Sequence, residues 1–165
     1  MTPPPADPVR DADAEARALA CSLLASARHA ALSYADTDGS PAISRIAFGL
    51  DADGMPLTLI SALAAHARAL RDRPSCAVMV GEPGAKGDPL THPRLMLKAE
   101  ARFVAADDPD RPGLRALWLR SHPKAKLYID FADFALVRLT PVSALLNGGF
   151  GRAFRLLPND LRGAE

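Results

Sequence analysis

The sequence is poor in several residue types and patterns, and each shortage removes a class of protein. It has only two cysteines, Cys21 and Cys76, which lie far apart and form no C-x-x-C pair. This excludes a disulfide framework and favours a reducing, cytoplasmic setting. No apolar run approaches the roughly 20 residues of a membrane-spanning helix. The formal net charge is +1, so the overall charge does not favour nucleic acid or an acidic membrane as a partner.

Recognisable catalytic and metal-binding motifs are also missing. The stretch Gly81–Gly87 looks like a phosphate loop, but Lys86 is not followed by the Ser or Thr that opens a helix in that motif. The four histidines are scattered, and none pairs with another at i, i+4 or with a cysteine, so no metal site is predicted. A G-x-S-x-G nucleophile elbow is absent too. The sequence therefore assigns no catalytic residue.

The chain does contain short apolar segments separated by turn-forming residues. Its 165 residues suffice for one domain with its own core; residues 1–10 are predicted to be a disordered tail and residues 11–165 a single domain. Turn signals at 36–41 and 51–54 separate three segments that predict an antiparallel meander. About six strands with short hairpins, not alternating with helices, favour a closed antiparallel barrel. The predicted strands are Ala31–Tyr34, Ala42–Leu50, Met55–Ser61, Ser75–Val80, Arg94–Ala105 and Phe134–Leu139, the last resuming at Ala144–Leu146. The predicted helices are Asp11–His29, Ala64–Arg73, Pro109–Arg120 and Pro123–Asp130.

One strand end followed by a helix start has the composition of a phosphate site. Ser61 ends a predicted strand, and the next helix carries His66 and Arg68. Unpaired N–H groups at a helix start, joined by a hydroxyl and cations, suit a phosphate, and Arg45 on the neighbouring strand points to the same place. On an ideal helix His66 lies beside the apolar face, whereas Arg68 points away. The alternative is that Ser61 only caps the helix and the charged residues form a solvated face.

Several short motifs follow one another in an order that is itself informative. The motifs are the hairpin Tyr34–Pro41, Ser44-Arg45-Ile46-Ala47-Phe48, Leu59-Ile60-Ser61-Ala62-Leu63-Ala64-Ala65-His66, Gly87-Asp88-Pro89-Leu90-Thr91-His92-Pro93-Arg94-Leu95, His122-Pro123-Lys124-Ala125, Phe131-Ala132-Asp133-Phe134 and Gly148-Gly149-Phe150-Gly151-Arg152-Ala153. Over about Ala25 to Ala153, the chain resembles the pyridoxamine 5′-phosphate oxidase-like, FMN-binding split-barrel proteins. Within them it is most similar to the haem-utilisation branch.

The resemblance implies a mainly β, α+β fold: a six-stranded antiparallel split β-barrel of Greek-key type with peripheral helices. It also implies a homodimer that holds FMN at its interface and acts on a small molecule. Family members often have Thr or Lys where this chain has Ala67, so Arg68 would have to supply that phosphate contact. The cofactor-binding positions that the resemblance carries over are Arg45, Ser61, the Ala62 backbone, His66, Arg68, Arg94 and Arg152.

Three functions remain open on the sequence. The first is an FMN-dependent oxidoreductase related to pyridoxamine 5′-phosphate oxidase, although the substrate-phosphate cluster of that oxidase is not found near the C-terminus. The second is a haem-binding or haem-degrading protein of the haem-utilisation type. The third is a flavin-binding module without catalysis. In the second case an axial ligand would come from His29, His66, His92 or His122.

Overall fold

The computed structural model of the chain describes residues 7–162. Within them the chain forms one sheet of nine strands, three α-helices and short 3-10 turns. No helix of this part is long and apolar enough to cross a bilayer. The strands are β1 (Val9–Asp11), β2 (His29–Ala35), β3 (Pro41–Ala47), β4 (Gly49–Leu50), β5 (Pro56–Ser61), β6 (Ser75–Val80), β7 (Arg94–Phe103), β8 (Phe134–Asn147) and β9 (Ala153–Leu156). The helices are α1 (Ala14–Ser26), α2 (Ala65–Asp72) and α3 (Arg111–Ser121), and the 3-10 turns are Pro89–Thr91, Pro123–Leu127 and Pro158–Leu161.

Six of the strands curve into a barrel that stays open along one seam. Their order is β5-β8-β7-β6-β2-β3, and every neighbouring pair is antiparallel. β3 and β5 run beside each other without ladder bonds; their link is a hydrogen bond from Thr58 Oγ1 to Ala47 O at 2.6 Å. This seam is called the split below.

The 14-residue strand β8 organises the rest of the sheet. β7 pairs with residues 137–147 of β8. The first part of β8 also pairs with β5, and its last part pairs with β9. β1 lies parallel to β9 and covers its outer edge. Strand edges left uncovered promote association between chains, so β1 protects this side of the sheet.

The apolar side chains form two packed clusters, one on each side of β5. The larger cluster fills the barrel, and α1 packs on it through Ala16, Ala20 and Leu24, which recur every four residues and share one helix face. The smaller cluster lies outside the barrel, where α3 contributes Leu114 and Trp118. β5 is therefore buried on both faces, which is unusual for an antiparallel strand and explains its continuous apolar run.

The sequence correctly predicts the α+β split-barrel class with six barrel strands, but the expected closure of the barrel is wrong. The sheet does not close, and three further strands, β1, β4 and β9, extend it to nine. The predicted meander ends early, because β5 pairs with β8 and not with β3. One side-chain contact takes the place of that ladder: Ala47 O accepts from the Thr58 side chain at 2.6 Å. The predicted helix Pro123–Asp130 is a 3-10 turn.

The predicted N-terminal tail lies partly outside the described residues, which begin at residue 7. Inside them, Val9–Asp11 forms β1. The Arg10 guanidinium lies 4.8 Å from the centre of the Phe154 ring, and Arg155 bonds to the carboxylate of Asp7. Contacts with β9 therefore hold the last residues of this segment.

Candidate functional site

The end of β5 is fixed by a hydrogen-bonded corner that it forms with the residue before β8. Ser61 Oγ donates to Asp133 Oδ2 at 2.8 Å, and Ala62 N–H donates to Asp133 O at 2.6 Å. Ser61 Oγ also accepts from Leu63 N–H at 3.1 Å. The hydroxyl and the Ala62 N–H, both predicted to contact a cofactor, thus have partners within the chain. A carboxylate also stands beside the predicted phosphate position.

Helix α2 begins a few residues after this corner, and its first turn keeps free N–H groups. Ala64 precedes the helix in an extended conformation, and no side chain caps the helix. Ser61 is therefore not its cap. Within residues 7–162, the N–H groups of Ala65 and His66 donate to no acceptor. This helix start presents unpaired donors and partial positive charge.

Arg45 lies beside the same corner, across the split. Ala47 and Thr58 are bonded to each other, so antiparallel strands place Arg45, two residues before Ala47, alongside Ile60 and Ser61. Arg45 is exposed on the outer face of the sheet. It makes no ion pair with any acidic residue of the described part of the chain. A free guanidinium therefore stands at the split.

The outer face of the sheet carries an apolar strip between two arginines. Arg45 pairs with Ala31, and Ala31 pairs with Met79 in the next strand. Met79 in turn pairs with Met96 of β7, two residues from Arg94 on the same face. We call Ala31, Met79 and Met96 the outer strip. With β2 and β6 between them and two residues of offset along β7, Arg45 and Arg94 are separated by about 16 Å.

Two histidines differ in how they relate to this strip. His29 lies two residues before Ala31 on the same face of β2, and its Nδ1 is 3.8 Å from Glu82 Oε1. His66 instead packs edge-on against the buried Tyr34, with 6.0 Å between ring centres, and burial lowers the pKa of its imidazole. A lowered pKa favours neutral His66 at pH 7, so this residue brings no lasting positive charge to a phosphate.

The other two histidines have both ring nitrogens engaged. His92 Nδ1 accepts from Gly84 N–H at 3.2 Å, and its Nε2 lies 2.9 Å from Lys86 O. His122 Nε2 donates to Arg28 O at 3.1 Å, while its Nδ1 bonds to the preceding serine. Of the four histidines considered as ligands, His29 and His66 are the two that remain available.

The remaining predicted arginines are spread over the molecule. Arg94 Nη1 donates to Leu90 O at 3.0 Å. Arg152 Nη2 bonds to Glu15 Oε1 of α1 at 2.9 Å, which directs it to the helix. Arg68 is exposed on α2. Only Arg94 among these three flanks the outer strip.

Sequence reasoning missed the outer strip and the bond that joins Asp133 to Ser61. Ala31 and Met79 lie on strands with apolar residues on both faces, so the sequence shows no alternation that separates core from surface. The available signal was the lack of charge at the outward positions of β2 and β6, where a solvated face normally carries it. Asp133 follows an aromatic segment, and its partner Ser61 lies 72 residues away.

The antiparallel barrel is open along one seam, and this defines the split-barrel class of α+β proteins. A helix start and an unpaired guanidinium lie at that seam. The family model described as pyridoxamine 5′-phosphate oxidase matches residues 17–147, and the chain belongs to this family. The resemblance seen in the sequence is thereby confirmed.

Two relatives and one structural neighbour show what the chain is similar to. It is 31% identical over 117 residues to "Non-canonical heme oxygenase HOZ, chloroplastic" of Arabidopsis thaliana. The matched residues cover 71% of this chain and 35% of that protein. A solved heme binding protein from Mycobacterium smegmatis is 29% identical with a TM-score of 0.82, over 93% of this chain and 62% of the other. Campylobacter jejuni ChuZ, 18% identical with a TM-score of 0.73 over 91% of this chain and 61% of its own, shows the fold alone. The chain thus spans about a third of the curated relative.

Proposed function

We propose that this chain binds haem on the outer strip and takes part in its oxidative breakdown. The observation that carries the proposal is the placement of His29, Arg45 and Arg94 around an apolar surface on one face of the sheet. Haem is flat and apolar, carries two carboxylates, and needs a ligand such as histidine for its iron. The names of the Arabidopsis and mycobacterial relatives support the same ligand.

The residues present fit such a group. Arg45 and Arg94 offer guanidinium groups to the two propionates, and such charge-assisted pairs are among the stronger hydrogen bonds in proteins. His29 offers an imidazole on the same face, and Ala31 is small enough to leave room for a flat ring. When bound, haem supplies an iron atom that binds and activates dioxygen. The chain's own contribution is to hold the carboxylates and cover one face of the ring.

Titration of the apoprotein with haem, followed by the Soret band, tests the proposal. Arg45→Ala should weaken binding about tenfold because it removes one charge-assisted pair. Arg120→Ala is the matched control, since Arg120 is exposed on α3 away from the strip. His29→Ala should shift the Soret band, whereas His92→Ala should leave it unchanged. Equal affinity for the wild type and Arg45→Ala, with the same spectrum in His29→Ala, would contradict this site.

We further propose that a second copy of the chain covers the outer strip. The face around it exposes large apolar side chains, and such exposed groups cost free energy in water. They are Ile43, Met79, Val142 and Leu145, exposed by 75%, 46%, 52% and 38%. A homodimer with the cofactor at its interface was expected from the resemblance. The apolar face, which Arg45 and Arg94 flank, supports this expectation.

Light scattering on a size-exclusion column measures this association. Ile43→Lys places a charge in the apolar face and should convert the dimer to a monomer. Arg120→Glu changes a surface charge elsewhere and should leave the mass unchanged. A monomeric wild-type protein at micromolar concentration would overturn the dimer without touching the haem proposal.

A second candidate function is FMN-dependent oxidation or reduction of a small molecule, and one observation favours it. The free N–H groups of Ala65 and His66 at the start of α2 lie next to the Ser61 corner and Arg45. Helix starts of this kind bind phosphate. FMN fits this pattern better than haem does, because its phosphate is compact and doubly charged. Flavin supplies the redox chemistry when bound, and the chain supplies position and charge.

Ala65→Pro tests the FMN candidate at a single atom. Ala65 is the first residue of α2, a position where proline is well tolerated, so the change deletes one N–H donor and keeps the helix. FMN should bind several-fold more weakly, while riboflavin, which has no phosphate, should bind as before. Unchanged FMN affinity would contradict a phosphate at this helix start. Bound flavin that NADH or NADPH does not reduce would favour a binding module over an enzyme.

A further inference from the structure

A cavity lies apart from the outer strip, and none of the three residues of the strip lines it. Its volume is about 550 Å³, within the range of small-molecule sites. The last turn of α2, the loop after β7, the start of α3 and the segment before β8 enclose it. The lining residues that matter here are Arg71, Phe103, Arg111, Asp130, Phe131 and Phe134.

Two guanidinium groups line this cavity without an acidic partner in the described part of the chain. The guanidinium carbon of Arg71 lies over the Phe103 ring, 3.9 Å from its centre, so a cation–π contact holds the side chain in place. Arg111 is the first residue of α3, whose first turn contains no acidic residue. A cation is unfavourable at that end of a helix. A bound anion would neutralise both cations and offset this repulsion.

The nearby carboxylates do not fill this role, because other arginines hold them. Asp130 receives two hydrogen bonds from Arg115, at 2.7 and 2.6 Å. Those bonds, together with the charges of Arg115 and, further away, Arg111, lower the pKa of Asp130 and keep it ionised. Asp110, just before α3, bonds to Arg138 at 3.0 Å. Asp130 therefore offsets part of the charge of Arg111 from a distance, but neither Arg71 nor Arg111 forms an ion pair within residues 7–162.

The rest of the wall is apolar and partly open to water. Phe131 is 58% exposed although it lines the cavity, and Phe134 packs against Tyr128 with 4.9 Å between ring centres. Large exposed aromatic side chains beside a concave surface commonly mark ligand sites. The cavity thus combines an apolar wall with two cations.

We propose that this cavity binds a small carboxylate with an aromatic or similarly apolar body. The carboxylate pairs with Arg71 and Arg111, and the apolar body lies against Phe131 and Phe134. The site is independent of the proposed haem or FMN site, because none of the residues assigned to that site lines the cavity.

Benzoate is the probe, and benzamide is its uncharged match of the same shape. Resonances of residues 130–135 in the amide NMR spectrum of the full chain should move and saturate with benzoate. Arg111→Gln should weaken benzoate binding about tenfold, since it removes one charge-assisted pair. Arg71→Gln should act in the same direction. Arg120→Gln, outside the cavity on the same helix, should have no effect.

Each possible result of these titrations either supports the carboxylate site or overturns it. Tenfold weaker binding of benzamide together with the two arginine effects supports the site. Equal benzoate affinity in Arg111→Gln and the wild type, or shifts confined to other residues, overturns it. The absence of saturable binding overturns it as well. Haem and FMN titrations of Arg111→Gln should match the wild type, so failure here leaves the proposed cofactor site standing.

Discussion

Ser61 and Asp133 lie 72 residues apart in the chain and are joined by a side-chain hydrogen bond of 2.8 Å. This bond ties the end of β5 to the segment before β8, beside the split and the start of α2. It also brings a negative charge next to groups that otherwise attract anions. For the proposed FMN phosphate, the carboxylate of Asp133 is repulsive and the start of α2 is attractive.

Asp133→Asn should strengthen the binding of FMN. The amide still offers an oxygen to the Ser61 hydroxyl, but the repulsion between carboxylate and phosphate is gone. For a doubly charged phosphate at about 8 Å and an effective dielectric constant of about 40, that repulsion is on the order of 2 kcal/mol, or roughly thirtyfold in affinity. Fluorescence titration measures it, with riboflavin and exposed Asp107→Asn as controls. Equal FMN affinity in the variant and the wild type would count against a phosphate at this corner.

Gly81→Ala should unfold the start of β7. Gly81 has a φ of +101°, and an added Cβ would lie 2.5 Å from Pro93 O and 2.8 Å from Arg94 Cα. We expect a loss of about 3 kcal/mol or more in the free energy of unfolding. Gly54→Ala is the matched control: its φ is +76°, but nothing lies within 4 Å, so only about 1 kcal/mol is lost. Urea unfolding compares them, and equal losses would show that the backbone contact is unimportant.

The stability of the fold should fall as the pH drops below about 6.5 in part through His66. Burial lowers the pKa of this imidazole from its ordinary value of 6.5. The unfolded chain then binds the proton more readily than the folded chain, so the stabilisation is complete above 6.5 and is lost as the pH falls toward the lower folded pKa. His66→Gln should flatten this dependence of the urea midpoint. Arg120→Gln changes an exposed side chain that does not titrate in this pH range and should leave it unchanged; the same slope in both variants would exclude His66 as its source.

Cys76 should resist alkylation in the folded protein. Burial, and after it the charge of Glu100, raises the pKa of the Cys76 thiol to about 11. At pH 8 roughly one thiol in a thousand is then ionised. Mass spectrometry after iodoacetamide treatment should show Cys76 unmodified until denaturant is added. Cys76→Ser removes the second site of the unfolded protein and identifies the peptide; rapid labelling of native Cys76 would contradict its burial.

The sequence predicts the elements of this fold better than their connections. Hydrophobic period and turn residues locate α1, α2 and most strands, because these signals are local. The main partner of β5 is β8, which begins more than 70 residues further along the chain, and no local periodicity reports such a pairing. The same reason applies to β1, whose three residues pair only because β9 offers an edge.

The candidate site shows a similar division. Arg45, Ser61 and the start of α2 were placed together from the order of strand and helix, and the structure brings them to the split. Arg152 was predicted to bind the cofactor because it follows a Gly-rich motif. Its bond to Glu15 instead directs its side chain toward α1. Long side chains choose partners by charge within reach, and that choice is not encoded in a motif.

The pairing of β8 with β5, β7 and β9 has a consequence for amide hydrogen exchange. Because β7 pairs with residues 137–147 of β8 while β5 and β9 pair with its two ends, residues 137–138 and 144–147 of β8 have a paired strand on both sides. The amide hydrogens of these residues exchange only when the whole domain opens, so their exchange rate reports the global free energy of unfolding. β4 and β1, each tied to one partner, open locally and exchange far sooner.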